Sequence, residues 1–227
     1  MIIAIDGPAG TGKGTVTKII AEKLNLINID TGAMYRCVAL EALRKNVEPV
    51  ECDKLNEILE NIDIQMKKNE DVQEVWLNGE NVSSQIRTPE IDANVAKYAA
   101  LKSVREKMTP LQRKMGLNRN VIMEGRDIGT AVFPDADVKI YLDASLQERA
   151  RRRYLQNLEK GIDEPYEEVL ESIKKRHKLE TEREIAPLRQ AEDAVLVDCT
   201  NMTIEETVAE IEKIIKKEKN NERKNNN

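Results

Sequence analysis

IDGPAGTGKGT, residues 5–15, is the stretch whose reading decides the fold. It lies between the apolar run MIIAID, residues 1–6, and a stretch with Val16, Ile19, Ile20 and Leu24 at helical spacing. The first reads as a buried parallel strand and the second as an amphipathic helix. Gly7-x-x-x-x-Gly12-Lys13 between such flanks is the context of a phosphate-binding P-loop. Glycines let the backbone turn its N–H groups around an anion, the new helix points its positive end at the same place, and Lys13 adds a full charge. A glycine-rich turn without a ligand is the plain alternative. Lys13 is followed by Gly14 where a hydroxyl residue usually stands, so the hydroxyl moves to Thr15.

The same strand–helix alternation continues along the chain. INID (27–30), NVIMEG (120–125), DVKIYLD (137–143) and AVLVDC (194–199) read as strands. TGAMYRCVALEALRKN (31–46), DKLNEILENI (53–62), residues 101–115 with a disturbance at Pro110, residues 146–160 and residues 165–184 read as helices. Gly161 breaks the last two, and Thr203 to Glu206 forms a capping box for a final helix. Five apolar strands separated by helices predict a parallel α/β sheet flanked by helices, with ligands beyond the carboxyl ends of the strands. Residues 62–97 depart from this rhythm. IDIQM, EVWLNG and ENVSSQI read as short strands, with Asn78-Gly79 as a turn and Thr88-Pro89 as a helix start, which makes this a small, mostly β insertion. The expected organisation is a core of residues 1–61 and 98–219, the insertion at 62–97, a short helical lid at about 149–165, and a disordered polar tail at 220–227.

Composition bounds the function. Of 227 residues, 40% are hydrophobic and 34% charged, but only 3% are aromatic, so the core rests on aliphatic side chains. A formal net charge of −5 argues against general nucleic-acid binding, which needs a basic footprint. Cys37, Cys52 and Cys199 are widely spaced and read as reduced thiols of a cytoplasmic protein. No stretch has the length of a membrane span, and the first apolar run is too short for a signal peptide. The acidic, aromatic-poor surface asks for no partner, which suits a monomer. His177, Trp76 and Lys213 to Lys219 read respectively as a solvated helical face, the insertion's core and another solvated face.

Arginines mark the chemistry. Arg36 stands early in a helix beside Tyr35, Arg126 in a loop at a strand end, and Arg149 and Arg153 four apart on one helical face with Arg152 alongside. Arg176 and Arg183 follow in KKRHKLETER. Guanidinium groups offer phosphate a bidentate fork. A P-loop with arginines from several distant segments suggests more than one phosphorylated ligand: a kinase for a small acceptor, or a nucleotide-binding regulator that transfers nothing. The guanine motif usual in GTPase switches is absent.

GPAGTGKGT, IDTGAMYR, GRDIGTAVFPDADVKIYLDAS and REIAPL, in this order from Ile2 to about Thr203, resemble the bacterial cytidylate kinases, of the nucleoside monophosphate kinase family. The resemblance implies a five-stranded P-loop core, an enlarged monophosphate-binding insertion, a mobile lid, and transfer of the γ-phosphoryl group of ATP to CMP or dCMP with Mg²⁺. It implies that the loop, Gly7, Pro8, Ala9, Gly10, Thr11, Gly12, Lys13, Gly14 and Thr15, holds ATP together with Arg152. It places Thr31, Tyr35, Arg36, Arg105, Arg126, Asp127, Arg176, Glu180 and Arg183 at the CMP site, with Arg105 and Asp127 toward the cytosine. Lys13, Arg126, Arg149, Arg153 and Arg183 would serve the transfer itself, and Thr15 and Glu124 the Mg²⁺, directly or through water. Four positions depart from the family pattern. Glu124 and Glu180 stand where Asp is usual, His177 replaces an Asp, and Ala96 falls where a base-contacting Ser is common. These leave the reaction in place and bear on the choice of base.

Overall fold

In a computed structural model of the protein, residues 1–69 and 72–225 are described. Strand β1 (Ile2–Asp6) leads into α1 (Lys13–Leu24), β2 (Ile27–Asp30), α2 (Thr31–Arg44) and α3 (Asp53–Asn61). An antiparallel sheet follows, of β3 (Ile64–Asn69), β4 (Val72–Leu77) and β5 (Glu80–Asn81). Then come α4 (Pro89–Ala99), α5 (Lys102–Gly116), β6 (Val121–Gly125), a single π-type turn over Ile128–Val132, β7 (Val138–Asp143), α6 (Leu146–Glu159), α7 (Tyr166–Glu182), β8 (Val195–Asp198) and α8 (Ile204–Asn225).

The expected parallel sheet forms in the order β2-β6-β1-β7-β8. Both faces of its centre are covered, which is why β1 is continuously apolar. Ile3 and Ile5 face α1 and α8, packing with Val16, Ile20, Val208 and Ile211. Ala4, between them, faces the other way, onto Val121, Met123 and Ile128. Parallel register then sets the site. Asp30 and Ile5 lie beside Glu124, and Asp6 beside Gly125, so three carboxylates gather at one edge of the sheet. The P-loop and the start of α2 spring from that same edge.

The insertion has no core of its own. Leu77, Val82, Ile86, Ile91 and Val95 share one apolar cluster with Met34 and Val38 of α2, Leu55 of α3, and Val104 and Met108 of α5. Trp76 lies outside this cluster, contrary to expectation. Strand side chains alternate, so Val75 and Leu77 point inward while Trp76 lies half-buried on the other face. There the Lys67 ammonium sits 4.0 Å from the centre of its ring and its indole N–H donates to Glu74. The third expected strand is only two residues long. The Ser83 hydroxyl takes the Val75 N–H at 2.9 Å, which ends the ladder, and Gln85–Arg87 forms a 3-10 turn.

Asn78 and Gly79, both at positive φ, make the expected turn. Thr88 caps α4 with Pro89 in its first turn, and the Thr203–Glu206 capping box closes with bonds of 2.8 and 3.2 Å. Helix α5 runs on through Pro110 without a break. Glu106, whose carbonyl Pro110 cannot serve, is exposed and open to water. The tail at 220–227, expected to be disordered, is instead helical as far as Asn225, because extending an established helix costs far less than starting one. Residues 226 and 227 lie outside the described residues. Among the described residues no helix is long and apolar enough to cross a membrane.

Candidate active site

The glycine loop has the backbone that its sequence requires. Gly7 has φ 152, and a Cβ there would stand 2.0 Å from the Leu142 carbonyl oxygen. Gly12, at φ 87, caps α1 in a left-handed conformation that leaves the first N–H groups of the helix free to bind an anion. Lys13 is buried and donates to the Pro8 carbonyl at 2.7 Å and to Thr11 Oγ1 at 3.3 Å, within its own loop. Burial lowers its pKa, and the Arg126 charge pushes the same way. Glu124, Glu180 and Asp6 pull the other way without offsetting the burial.

Two of the expected ATP-facing arginines brace the loop. Arg149 donates to the Ala144 carbonyl at 3.0 Å and to Ala9 at 3.4 Å. Arg152 donates to the carbonyls of Thr11 at 3.2 Å and Cys199 at 2.7 Å, and pairs with Glu148 at 2.8 Å. The Arg152 fork therefore ties α6 to the loop and to the segment before α8.

Glu124 is buried at the end of β6, and burial raises its carboxyl pKa, with Asp30 adding repulsion. The hydroxyl on it is that of Thr17, at 3.4 Å, while Thr15, expected to support Mg²⁺, is exposed. Helical geometry explains the exchange: positions 14 and 17 lie on one face of α1, and position 15 is turned away. Gly14 leaves the space that this carboxylate occupies. A buried carboxylate with no ion pair among the described residues, though Lys13, Arg126 and Arg87 act on it from nearby, stands at the mouth of a phosphate loop and suits Mg²⁺. That ion is usually held by one or two carboxylates with water and substrate phosphates.

Opposite the loop, three carboxylates each hold two arginines. Asp127 takes Arg105 on one oxygen and Arg183, at 3.2 Å, on the other. Glu180 takes Arg126 and Arg176, both at 2.9 Å, and these charges hold its carboxyl down at about 2 against the cost of burial. Asp92 takes Arg36 and Arg153. Eight of the sequence-marked residues thus meet in these clusters, from α2, α5, the loop after β6, α6, α7 and the segment after α7.

Arg105 also lies over the Tyr35 ring at 5.4 Å, and the Tyr35 hydroxyl is buried beside Gln112. Thr31 donates to the Glu124 carbonyl at 2.7 Å, which fixes the start of α2 against β6. His177 is half-buried rather than on a solvated face. Its Nδ1 is buried without a partner, and burial together with Arg149 lowers its pKa.

Sequence reasoning missed Asp6, Thr17 and Asp92. Asp6 accepts the N–H groups of Ile128 at 2.8 Å and Gly129 at 2.7 Å, so it holds the turn that carries Asp127 and Arg126. Burial raises its pKa to about 6. A carboxylate ending a fully apolar strand was a signal for it. Asp92 had no local signal, since its partners are 56 and 61 residues away.

A phosphate loop on a parallel sheet, with arginines gathered from α2, α5, the loop after β6, α6 and α7, defines a P-loop kinase. The family model for cytidylate kinase matches residues 3–217, and this chain belongs to that family. It is 50% identical over 209 residues to the cytidylate kinase of Bacillus subtilis (strain 168), covering 92% of this chain and 93% of that one. It is 47% identical over 209 residues to that of Caldicellulosiruptor saccharolyticus, covering 92% of each. Among solved structures, an uncharacterized protein from Eubacterium ventriosum superposes with a TM-score of 0.51 at 14% identity. It covers 95% of this chain and 98% of its own, which is a likeness of fold.

Proposed function

We infer that the protein transfers the γ-phosphoryl group of ATP to CMP or dCMP, giving ADP and CDP or dCDP. The observation that carries this reading is the pairing of a buried P-loop lysine with six arginines held in twos on Asp92, Asp127 and Glu180. One anion belongs on the loop and a second among the arginines. Family membership supplies the base.

Phosphoryl transfer passes through a loose transition state, so the protein's work is positioning and charge neutralisation. Lys13 leaves the Pro8 carbonyl and meets the β and γ phosphates, with the loop N–H groups. Arg36 and Arg126 hold the acceptor phosphate, Arg176 and Arg183 lie between the two nucleotides, and Arg153 neutralises the group in flight from the lid. Arg105 and Asp127 read the cytosine, and Glu180 the ribose. Arg149 and Arg152 keep the ATP loop in shape. Mg²⁺ would be held by Glu124 together with water, and would neutralise phosphate charge. A nucleoside monophosphate is mostly dianionic at neutral pH, with a second pKa of roughly 6, so the acceptor needs no general base. Closure of the lid at about 149–165 over the insertion at 62–97 keeps water from accepting the phosphoryl group. The protein would act as a cytoplasmic monomer, in keeping with its acidic surface.

The test is ADP release measured separately with CMP, dCMP, UMP and AMP, with Mg²⁺ present and chelated. Fast release with CMP and dCMP and slow release with AMP is expected. Equal rates with all four, or release independent of acceptor, would overturn the reading.

A further inference from the structure

Asp92 belongs to the insertion, in the first turn of α4, yet its two oxygens are spent elsewhere. One takes the Arg36 guanidinium from α2, and the other takes Arg153 from α6. One side chain therefore ties the acceptor-side insertion to the core and to the lid. The three side chains are 14%, 13% and 27% exposed, so the cluster is far better shielded than a surface ion pair. Arg176, Arg87 and Lys160 add their charges around it. The arginines hold the Asp92 carboxyl below its ordinary range despite its burial.

A carboxylate ringed by arginines offers what a phosphate monoester would offer there, with one negative charge instead of two. Its two direct partners are the arginines on which the proposed reaction relies, one for the acceptor phosphate and one for the group in flight. We propose that Asp92 is a specificity-determining residue, an internal counter-ion that holds Arg36 and Arg153 until an acceptor's dianionic phosphate displaces it. A dianion gains more from these cations than a carboxylate does, so the exchange favours a phosphorylated acceptor. A nucleoside lacking the phosphate cannot make the exchange and leaves both arginines occupied. Until then, the Asp92–Arg153 pair holds the lid against α4. This inference rests on the kinase reading above.

The test compares the unsubstituted protein with Asp92→Asn, which keeps the shape and removes the charge. Calorimetric titration with CMP, cytidine and inorganic phosphate gives the affinities. A pair of spin labels on Lys97→Cys and Glu159→Cys, with Cys52→Ser, reports the distance between α4 and the lid without nucleotide. Asp92→Asn should bind CMP and inorganic phosphate about 3- to 10-fold more tightly and cytidine within about twofold of the unsubstituted protein, the scale of a partly shielded charge pair. The label distance should lengthen or broaden. Glu90→Gln, which removes an exposed carboxylate from the same helix, controls for general charge and should change little. Unchanged or weaker phosphate binding, an equal gain in Glu90→Gln, or an unchanged label distance would overturn the proposal. Should Asp92→Asn not fold, Asp92→Ser carries the same measurements. The phosphate arm does not depend on the base. If phosphate binding tightens while CMP binds neither protein, the assignment of the acceptor fails and the role of Asp92 stands.

Discussion

Gly14 lies against Glu124: a Cβ built on the glycine would stand 3.1 Å from Oε1 of the carboxylate and 3.7 Å from Oε2. The missing hydroxyl of the P-loop thus has a steric reason. The long Glu124 side chain reaches the flank of α1, and any side chain at position 14 would press on it. Gly14→Ala should leave the melting temperature level or slightly higher, since Ala favours helix over Gly by about 1 kcal/mol. It should lower kcat by about 3- to 10-fold as Glu124 is pushed from its place, the scale of a small misplacement at a reacting centre. Glu124→Asp, one methylene shorter, should recover part of that loss in the double variant. A kcat unmoved by Gly14→Ala would separate Glu124 from the reaction.

Among the described residues Lys13 has no carboxylate within ion-pair distance, and it donates to its own loop. Lys13→Ala should lower kcat by roughly two to three orders of magnitude, as for loss of one preorganised charge partner. Steady-state kinetics of the folded variant, checked by circular dichroism, gives the answer. Near-normal turnover would remove the loop from the mechanism.

Arg126 is held by Glu180, and the proposed reaction assigns it to the acceptor phosphate. Arg126→Ala should weaken CMP binding by at least tenfold while ATP affinity stays within about threefold, in line with the loss of a charge-assisted pair. Separate titrations of the two nucleotides decide it. Collapse of ATP affinity with CMP unchanged would place Arg126 on the other phosphate.

Ala96 lies on α4 one turn beyond Asp92, and the carbonyl of Ala99 on the same helix accepts from Arg105 at 3.2 Å. A hydroxyl at position 96 would therefore enter the surroundings of Arg105. Ala96→Ser should raise the CMP to UMP ratio of kcat/KM by about 2- to 13-fold, the value of one hydrogen bond of roughly 0.5–1.5 kcal/mol. A ratio left where it was would mean that the base is read without this position.

Glu180 has its carboxyl at about 2, below the ordinary 4.5. Its folded pKa is depressed, so the unfolded chain binds the proton more readily. The stability it contributes is fully present above pH 4.5 and is lost as pH falls toward 2. Glu180→Gln should cost on the order of 3 kcal/mol near pH 7, with the gap to the unsubstituted protein closing between pH 4.5 and 2. Asp6, raised to about 6, works in the opposite sense between pH 6 and 3.8, so the comparison must be between the two proteins at each pH. Denaturant melts at several pH values measure it, and a gap independent of pH would show that the Glu180 charge is not what stabilises.

The sequence by itself determined whatever rests on neighbours along the chain. The strand–glycine loop–helix unit at residues 1–24, the Asn78-Gly79 turn, the Thr88 and Thr203 caps and the alternation of strands and helices are local, because backbone sterics and hydrogen bonds within a few residues decide them. The loop and arginine positions were legible for the same reason, since they belong to contiguous motifs. Tertiary structure alone decided which charges distant in sequence meet. Asp92 finds Arg36 and Arg153 across 56 and 61 residues, and Asp6 finds the 128–129 backbone across more than 120. Thr17 rather than Thr15 faces Glu124 because of how α1 is rolled against β6, and Trp76 stands outside the core because the register of β3 and β4 places Val75 and Leu77 inside. An ion pair gains its strength from shielding and from exact placement of both partners, and both arise only when the sheet, the insertion and the lid have packed together.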